Sequence, residues 1–449
     1  MISISVVVPT HNRVGLLTKH LFLLSEQDLS PSQFEVIVVA DGCTDETAKR
    51  ARQLELPYRI TVLEQNPGMG ASGARNRGAA AATADILLFL DGDMEPSRQL
   101  LSAHMRAHRT APGGVVLGFF PMQSPRENES LFTKSARLWW AEKFASRAQP
   151  GHRFSFWDFC TGNLSIAKEA FENAGGFDES IGKNGAGEDY ELGYRLIRSR
   201  VSFQFVLEAK SVHHTTVSWD DNLSRAEQEG FGQALMARKH PEIFWEFNVA
   251  HLSRLSGSIL LRPAWVLLWK APKLGELPIA VIRMIARVLL AMNVQSLFWR
   301  LQGILRGHAY WKGVRAALGT LSNWERLAQD APYEPSDYHE VDFDISRDLQ
   351  DLDEFLLRHW PVDAMRVFAS GQPVGRIAPR AAGEALRSQY VRALFVSRFS
   401  SVLLGELISR TNLPGMDSRA TSFPSSDELR SEVNDSKWLP TSGEDRFPQ

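Results

Sequence analysis

Over the first ninety positions, short apolar runs alternate with stretches of helical length. Residues 4–8, 34–40 and 85–91 are largely apolar segments rich in Val, Ile and Leu, the pattern of parallel strands covered on both faces. Each run ends in polar loop residues: Pro9-Thr10-His11-Asn12-Arg13, Asp41-Gly42-Cys43-Thr44-Asp45, and Asp91-Gly92-Asp93. Helix-like stretches over 15–25, 44–54 and 72–82 fill the intervals. This rhythm predicts an α/β fold with a doubly wound, mostly parallel sheet flanked by helices. Such sheets take ligands beyond the carboxyl ends of their strands, so Thr10, Asp41, Asp91 and Asp93 line one rim. Further on, Tyr190, Leu192, Gly193, Leu196 and Ile197 have helical spacing, which places Glu188 and Asp189 in a first turn. Residues 203–209 read as another strand, followed by His213 and His214.

Chemistry enters with the acids. Asp91 and Asp93 lie two apart, so on extended backbone both carboxylates face one way and can share a hard divalent cation, Mg2+ or Mn2+, with a diphosphate. The same three residues also suit an Asx turn bent at Gly92. Gly68-Met69-Gly70-Ala71-Ser72-Gly73 has the spacing of a dinucleotide-binding loop, and Asp91 follows about where a ribose-binding acid would stand. An NAD-dependent oxidoreductase, however, leaves Asp93, Glu188 and Asp189 without roles. Gln65-Asn66-Pro67 also parts the glycines from the preceding strand, and two complete βα units come before them. Glycines that let a loop approach a phosphate, with Arg75 as a fixed positive charge, account for more of the pattern.

Four segments in order, Val6 through Arg13, Val38 through Asp45, Gly70 through Gly78 and Phe89 through Asp93, resemble the inverting nucleotide-sugar glycosyltransferases of family 2, which have the GT-A fold. The resemblance spans roughly residues 3–235. Thr161-Gly162-Asn163, Gly175-Gly176-Phe177-Asp178 and the stretch from Gly187 to Arg195 are similar to that family's acceptor-side motifs. The resemblance implies transfer of one sugar from a nucleoside-diphosphate sugar to an acceptor hydroxyl, by metal-assisted single displacement with inversion. It places Pro9, Thr10, Asn12, Arg13, Asp41, Gly70, Arg75 and Asp91 on the donor, with Asp41 toward the nucleoside. Asp91 and Asp93 would hold the metal, and Thr161, Gly162 and Asn163 would face the acceptor. Asp189 would be the general base, with Glu188 shaping the catalytic pocket. A histidine after the later strand supplies a metal ligand in some relatives, which marks His213 and tilts the choice toward Mn2+. Asp189 also suits a plain helix cap, and His213 a structural histidine, with either member of the His213-His214 pair as the ligand. Processive synthases carry a Gln-x-x-Arg-Trp sequence. Residues 295–300 have the wrong order and spacing for it, so a non-processive enzyme is expected. A noncatalytic nucleotide-sugar-binding protein remains a second reading. A nucleotidyltransferase would want a basic, Gly-rich first loop, which this chain lacks.

Composition narrows the setting. The 449 residues carry a formal net charge of −2, which gives no footing for nucleic acid. Two cysteines, Cys43 and Cys160, make no disulfide framework or metal knuckle. The apolar run at the amino terminus has no basic region before it and serves better as a strand than as a signal peptide, so a cytoplasmic protein is expected. Residues 251–315 depart from this average, with ten Lys or Arg, one acid, and Trp265, Trp269, Trp299 and Trp311. Elsewhere the chain holds 40 basic and 51 acidic residues. Such a stretch suits an anionic membrane surface, with no uncharged apolar run near the ~20 residues of a spanning helix. Peripheral attachment at the inner face of the plasma membrane, near a lipid-linked or other glycan acceptor, follows as an expectation. A helical subdomain packed on the catalytic sheet fits the same composition. Past residue 331, strands at 341–345, 365–368 and 374–377, a helix at 349–357 and a turn at Gly371-Gln372 predict a small α+β module. Few aliphatics follow residue 411, the composition of a disordered tail. The expected divisions are 1–240 (catalytic), 241–330 (basic, helical), 331–410 (accessory) and 411–449 (tail).

Overall fold

The computed structural model describes residues 2–398 except 124–128, 150, 183–185, 251–268, 293, 333–337, 347–350 and 381–382. The expected tail at 411–449 lies outside the described residues. The amino-terminal sheet has eight strands: β1 (Ile4–Thr10), β2 (Phe34–Asp41), β3 (Arg59–Gln65), β4 (Ile86–Leu90), β5 (Met94–Pro96), β6 (Val115–Phe119), β7 (Asn163–Ala167) and β8 (Phe203–His213). Their order is β3-β2-β1-β4-β7-β6-β8-β5. β3, β2, β1 and β4 run parallel, and Val6, Val7, Val8, Val36 to Val39 and Leu87 to Leu90 are fully buried. Two-sided burial is what their unbroken apolar runs require.

The α/β class expected from the chain is the one observed, and beyond β4 the sheet becomes mixed. β7 enters antiparallel between β4 and β6, and β5 pairs antiparallel with β8. β7 is held by a buried polar post. The Asn163 amide donates to Ala209 O (2.9 Å) and Ser211 Oγ (3.2 Å), and its carbonyl oxygen meets His104 Nε2 at 2.8 Å. The helix Gly70–Ala81 lies close over the parallel strands, because a Cβ at Gly78 would fall on Val7. Its amino-terminal half therefore reaches the carboxyl-end rim.

A three-helix unit covers one flank. Helix Trp219–Lys239 and helix Gln295–Leu318 cross where Gly230 meets the Tyr310 carbonyl and Gly313 meets the Glu227 carbonyl, with no room for a Cβ at either glycine. Arg283 pairs with Asp220, Arg306 with Glu229 and Lys312 with Glu227. Part of the basic excess thus answers the acids of helix Trp219–Lys239. Trp269, Trp311 and Trp324 pack together against the main core, and Trp299 lies on Phe132. The helix Pro272–Ala291 lies outermost and leaves Leu277, Val281, Met284, Ile285 and Val288 exposed, followed by Met292. Trp265, singled out above, lies outside the described residues.

The accessory module is a separate three-stranded sheet, β9 (Glu340–Asp344), β10 (Ala364–Ala369) and β11 (Gln372–Ile377), ordered β11-β10-β9. Helices Asp351–Arg358 and Ser388–Arg398 close its own core. The hairpin turn sits one residue earlier than expected. Ser370 and Gly371 both take positive φ, 49° and 78°, as a two-residue turn requires. The module grips the amino-terminal α/β unit through buried Arg153, which donates to the carbonyls of Glu384 (2.6 Å), Asp363 (2.9 Å) and Ala378 (3.4 Å). In return, Glu384 accepts the Phe154 N–H at 3.1 Å.

The glycine crossing yields a test. Gly230→Ala or Gly313→Ala should destabilise the protein by about 1–3 kcal/mol, since the added methyl meets backbone that cannot retreat. Gly15→Ala, in an open helical position with nothing within 4 Å, should not destabilise. Urea unfolding of the three variants measures the difference.

Candidate functional site

At the rim, the first two strand ends are tied together by short polar contacts. Asn12 Oδ1 accepts from the Thr44 N–H (2.8 Å) and the Asp45 N–H (3.3 Å), joining the loop after β1 to the loop after β2. Asp41 accepts from the Met69 N–H (2.7 Å) and the Gly70 N–H (2.8 Å), one at each carboxylate oxygen. Both oxygens are thus engaged in tethering the glycine loop. Pro9 is part of β1, and Thr10 beside it is buried, with its hydroxyl unpartnered among the described residues.

Arg75 decides how the rest is arranged. Its side chain is 6% exposed, and it donates to Asp91 Oδ1 at 2.9 Å and to Glu188 Oε1 at 3.0 Å. Two acidic clusters separated by almost a hundred residues therefore meet on one guanidinium. Asp91 and Glu188 more than offset the cost of burying that charge and keep it in place. Asp91 also lies against the β7 edge: its N–H donates to Gly162 O (3.2 Å), and a Cβ on Gly162 would stand 3.5 Å from Asp91 Oδ2. Thr161 is buried next to it. Asn163 faces the other way, its amide bound within the core as described above.

Asp93 is paired with Arg13, and His213 Nε2 stands 3.6 Å from Asp93 Oδ2. Burial pushes the pKa of Asp93 up, but His213 and Arg13 outweigh it and bring it down to about 2. The neighbouring His214 turns instead to Glu95, at 2.6 Å, so His213 is the histidine that faces the Asp-Gly-Asp segment. Asp93 Oδ1 and His213 Nδ1 are buried without hydrogen-bond partners among the described residues, an unmet donor-acceptor demand that suits a cation. Among the described residues, no three acidic, His or Cys side chains gather to hold a metal by themselves. A metal here would rest on one or two protein ligands and on substrate oxygens, the usual manner of Mg2+.

Asp189 occupies the first turn of helix Glu188–Arg198. Protein atoms crowd its carboxyl and Glu188 repels its charge, which together push its pKa up to about 7 against the opposing pull of Arg75. The helix is anchored from behind by fully buried Glu191, which accepts from Arg195 (2.6 and 2.9 Å), Lys239 (2.7 Å) and His240 (2.9 Å). Next to Asp189, the Tyr190 ring meets Trp157 at 5.1 Å. Across from it, helix Leu131–Arg147 brings Lys143 over the Tyr190 ring at 5.3 Å. Trp139, Trp140 and Lys143 are site-lining residues that pattern reading missed, because their segment carries no motif.

The profile of glycosyl transferase family 2 matches residues 5–175, and that of the N-terminal domain of galactosyltransferase matches residues 143–216. Residues 5–175 belong to glycosyl transferase family 2. The chain is 33% identical over 272 residues to a validoxylamine A glucosyltransferase of Streptomyces hygroscopicus subsp. limoneus, covering 54% of this chain and 58% of that one. It is 25% identical over 296 residues to a hyaluronan synthase of Pasteurella multocida, covering 59% of this chain and 30% of the synthase. The chain thus spans well under two thirds of either relative. A mannosyltransferase of Pyrobaculum calidifontis, solved with GDP-Man and Mn2+, overlays with a TM-score of 0.46 at 19% identity, over 69% of this chain and 86% of that one.

The Arg75 bridge makes a second prediction. Arg75→Met leaves Asp91 and Glu188 facing each other without a countercharge, and should cost about 2–4 kcal/mol. This falls somewhat below the ~3–5 kcal/mol of a fully buried orphaned charge, because Asp91 stays 32% exposed. Arg75→Lys should recover only part, since one ammonium cannot reach both carboxylates in the fork geometry. Denaturant unfolding at neutral pH measures both.

Proposed function

We propose that this chain is an inverting glycosyltransferase that moves one sugar from a nucleoside-diphosphate sugar to an acceptor hydroxyl, one transfer per encounter. The observation that carries the reading is the Arg75 bridge, which sets the Asp91-Gly92-Asp93 segment and the Glu188-Asp189 pair at a single place on the rim. Inversion by one displacement needs a carboxylate opposite the leaving group to take the acceptor's proton, and Asp189, with its pKa near 7, is suited to that at neutral pH. Glu188 keeps Arg75 in place and keeps Asp189 basic. Thr10, Arg13 and the Gly68–Gly70 loop tethered by Asp41 form the donor side, while Thr161 and Gly162 border the acceptor side. A divalent ion, Mg2+ or Mn2+, would be held by Asp93, with Asp91 or His213 beside it, and would neutralise charge on the departing diphosphate. Arg13 already places a positive charge at that spot.

The base assignment has a direct test. Below pH 7 Asp189 holds its proton and cannot act as a base; above pH 7 it is ionised. The kcat/KM should therefore rise between pH 6 and 8 and then level off, a profile that reports the free enzyme. Asp189→Asn should lower turnover by at least ~10²-fold while keeping the thermal stabilisation by UDP-, GDP- or dTDP-sugars with Mn2+ that marks donor binding. Retained turnover in Asp189→Asn would overturn the assignment. A binding protein without catalysis would show no turnover in either form.

We further propose peripheral attachment to the inner face of the plasma membrane, with a lipid-linked or other membrane-borne glycan acceptor. The exposed apolar side chains of helix Pro272–Ala291, with exposed Arg287 and Arg300 nearby, support it. Among the described residues no helix is long and apolar enough to cross a bilayer. The protein should float with vesicles containing anionic lipid at low salt, and the double variant Val281→Asp, Val288→Asp should stay at the bottom. Wild-type protein left at the bottom would count against the attachment.

A further inference from the structure

The cations at the rim fall into two kinds. Arg13 and Arg75 are committed to carboxylates. Lys143 is not. Its ammonium lies over aromatic faces, 4.7 Å from the Trp139 ring centroid, 5.3 Å from Tyr190 and 5.8 Å from Trp140, and it makes no ion pair among the described residues. The enclosing rings are themselves fixed. Trp140 is wedged between Phe120 (4.9 Å) and Phe144 (5.4 Å), and Tyr190 is held by Trp157. Trp139 is the exception, with 44% of its surface open to solvent.

An ammonium over π faces keeps its charge, but its three N–H donors need acceptors that rings supply poorly. Burial draws the amine below its ordinary lysine value, a pull that an arriving anion would reverse. The open indole of Trp139 adds a flat apolar surface of the sort that covers the C–H face of a sugar ring. The Lys143 ammonium and the Asp189 carboxylate attract each other across this space, so a ring held here lies on the side of the proposed base.

We propose that Lys143 and the open face of Trp139 form an acceptor subsite for a sugar ring bearing an anionic group, phosphate or carboxylate. The ammonium takes the anion, the indole takes the ring, and a free hydroxyl turns toward Asp189. This rests on the glycosyl-transfer reading and adds to it the class of acceptor.

Tryptophan fluorescence titration of the full chain without nucleotide tests it, using glucose 6-phosphate, glucuronate and glucose as probes. The two charged sugars should bind about tenfold or more tightly than glucose, the scale of one charge-assisted hydrogen bond. Comparing the phosphate with the carboxylate probe tells which anion the subsite prefers. Lys143→Met, which keeps most of the apolar stem, should remove the preference, whereas Lys143→Arg should keep it and Trp139→Ala should weaken all three probes. Equal binding of the three sugars by the wild type, or an undiminished charge preference in Lys143→Met, would overturn the proposal. Because no nucleotide is present, a chain that bound no nucleotide sugar in the thermal assay would sink the transfer reading and leave this measurement standing.

Discussion

A single buried guanidinium organises the rim. Arg75 can reach both Asp91 and Glu188 only because its helix lies flat on the parallel strands, an approach that depends on the missing side chain at Gly78. It brings one positive charge to three carboxylates, those of Asp91, Glu188 and Asp189. Two are satisfied by direct contact. The third is crowded by protein atoms and repelled by Glu188, so Asp189 holds its proton far more firmly than an ordinary aspartate. Arg75 thus holds the clusters together while only partly offsetting the burial and the Glu188 repulsion that make Asp189 basic.

The parallel half of the sheet was legible because its strands are buried on both faces and must be continuously apolar, and because each ends in a recognisable polar loop. The acids of the rim could be read for the same reason. β7 was not, since its polar Asn163 and Ser165 break the apolar run and are satisfied only by buried partners that the fold supplies. Lys143 and its tryptophans were also invisible: a helical Lys beside two Trp looks like any amphipathic surface until the fold turns it toward Tyr190. Arg75 was read as a phosphate-binding charge, and only three-dimensional contact shows both ends of its fork engaged by carboxylates. Asn163, expected beside the acceptor, is instead the hydrogen-bonded post of β7, a role that depends on partners forty residues away.

The basic stretch shows how composition alone can leave two readings standing. Its inner helix is cationic largely because it lies against the acids of helix Trp219–Lys239, and its tryptophans fill a protein core. Its outer helix shares one such pair, Arg283 with Asp220, and keeps an apolar face in water. Averaged along the chain, the two look alike; in space they divide the packing reading and the surface reading between them.

Arg153 gives the accessory module a meaning beyond its own small core. Three backbone carbonyls from that module stand around a guanidinium belonging to the amino-terminal α/β unit, only a few residues ahead of Thr161 and Gly162. A chain cut near residue 330 would strip those oxygens away and leave the guanidinium without its carbonyl partners close to Thr161 and Gly162. The border near residue 330 is therefore crossed by hydrogen bonds that tie the second sheet to the first part of the chain.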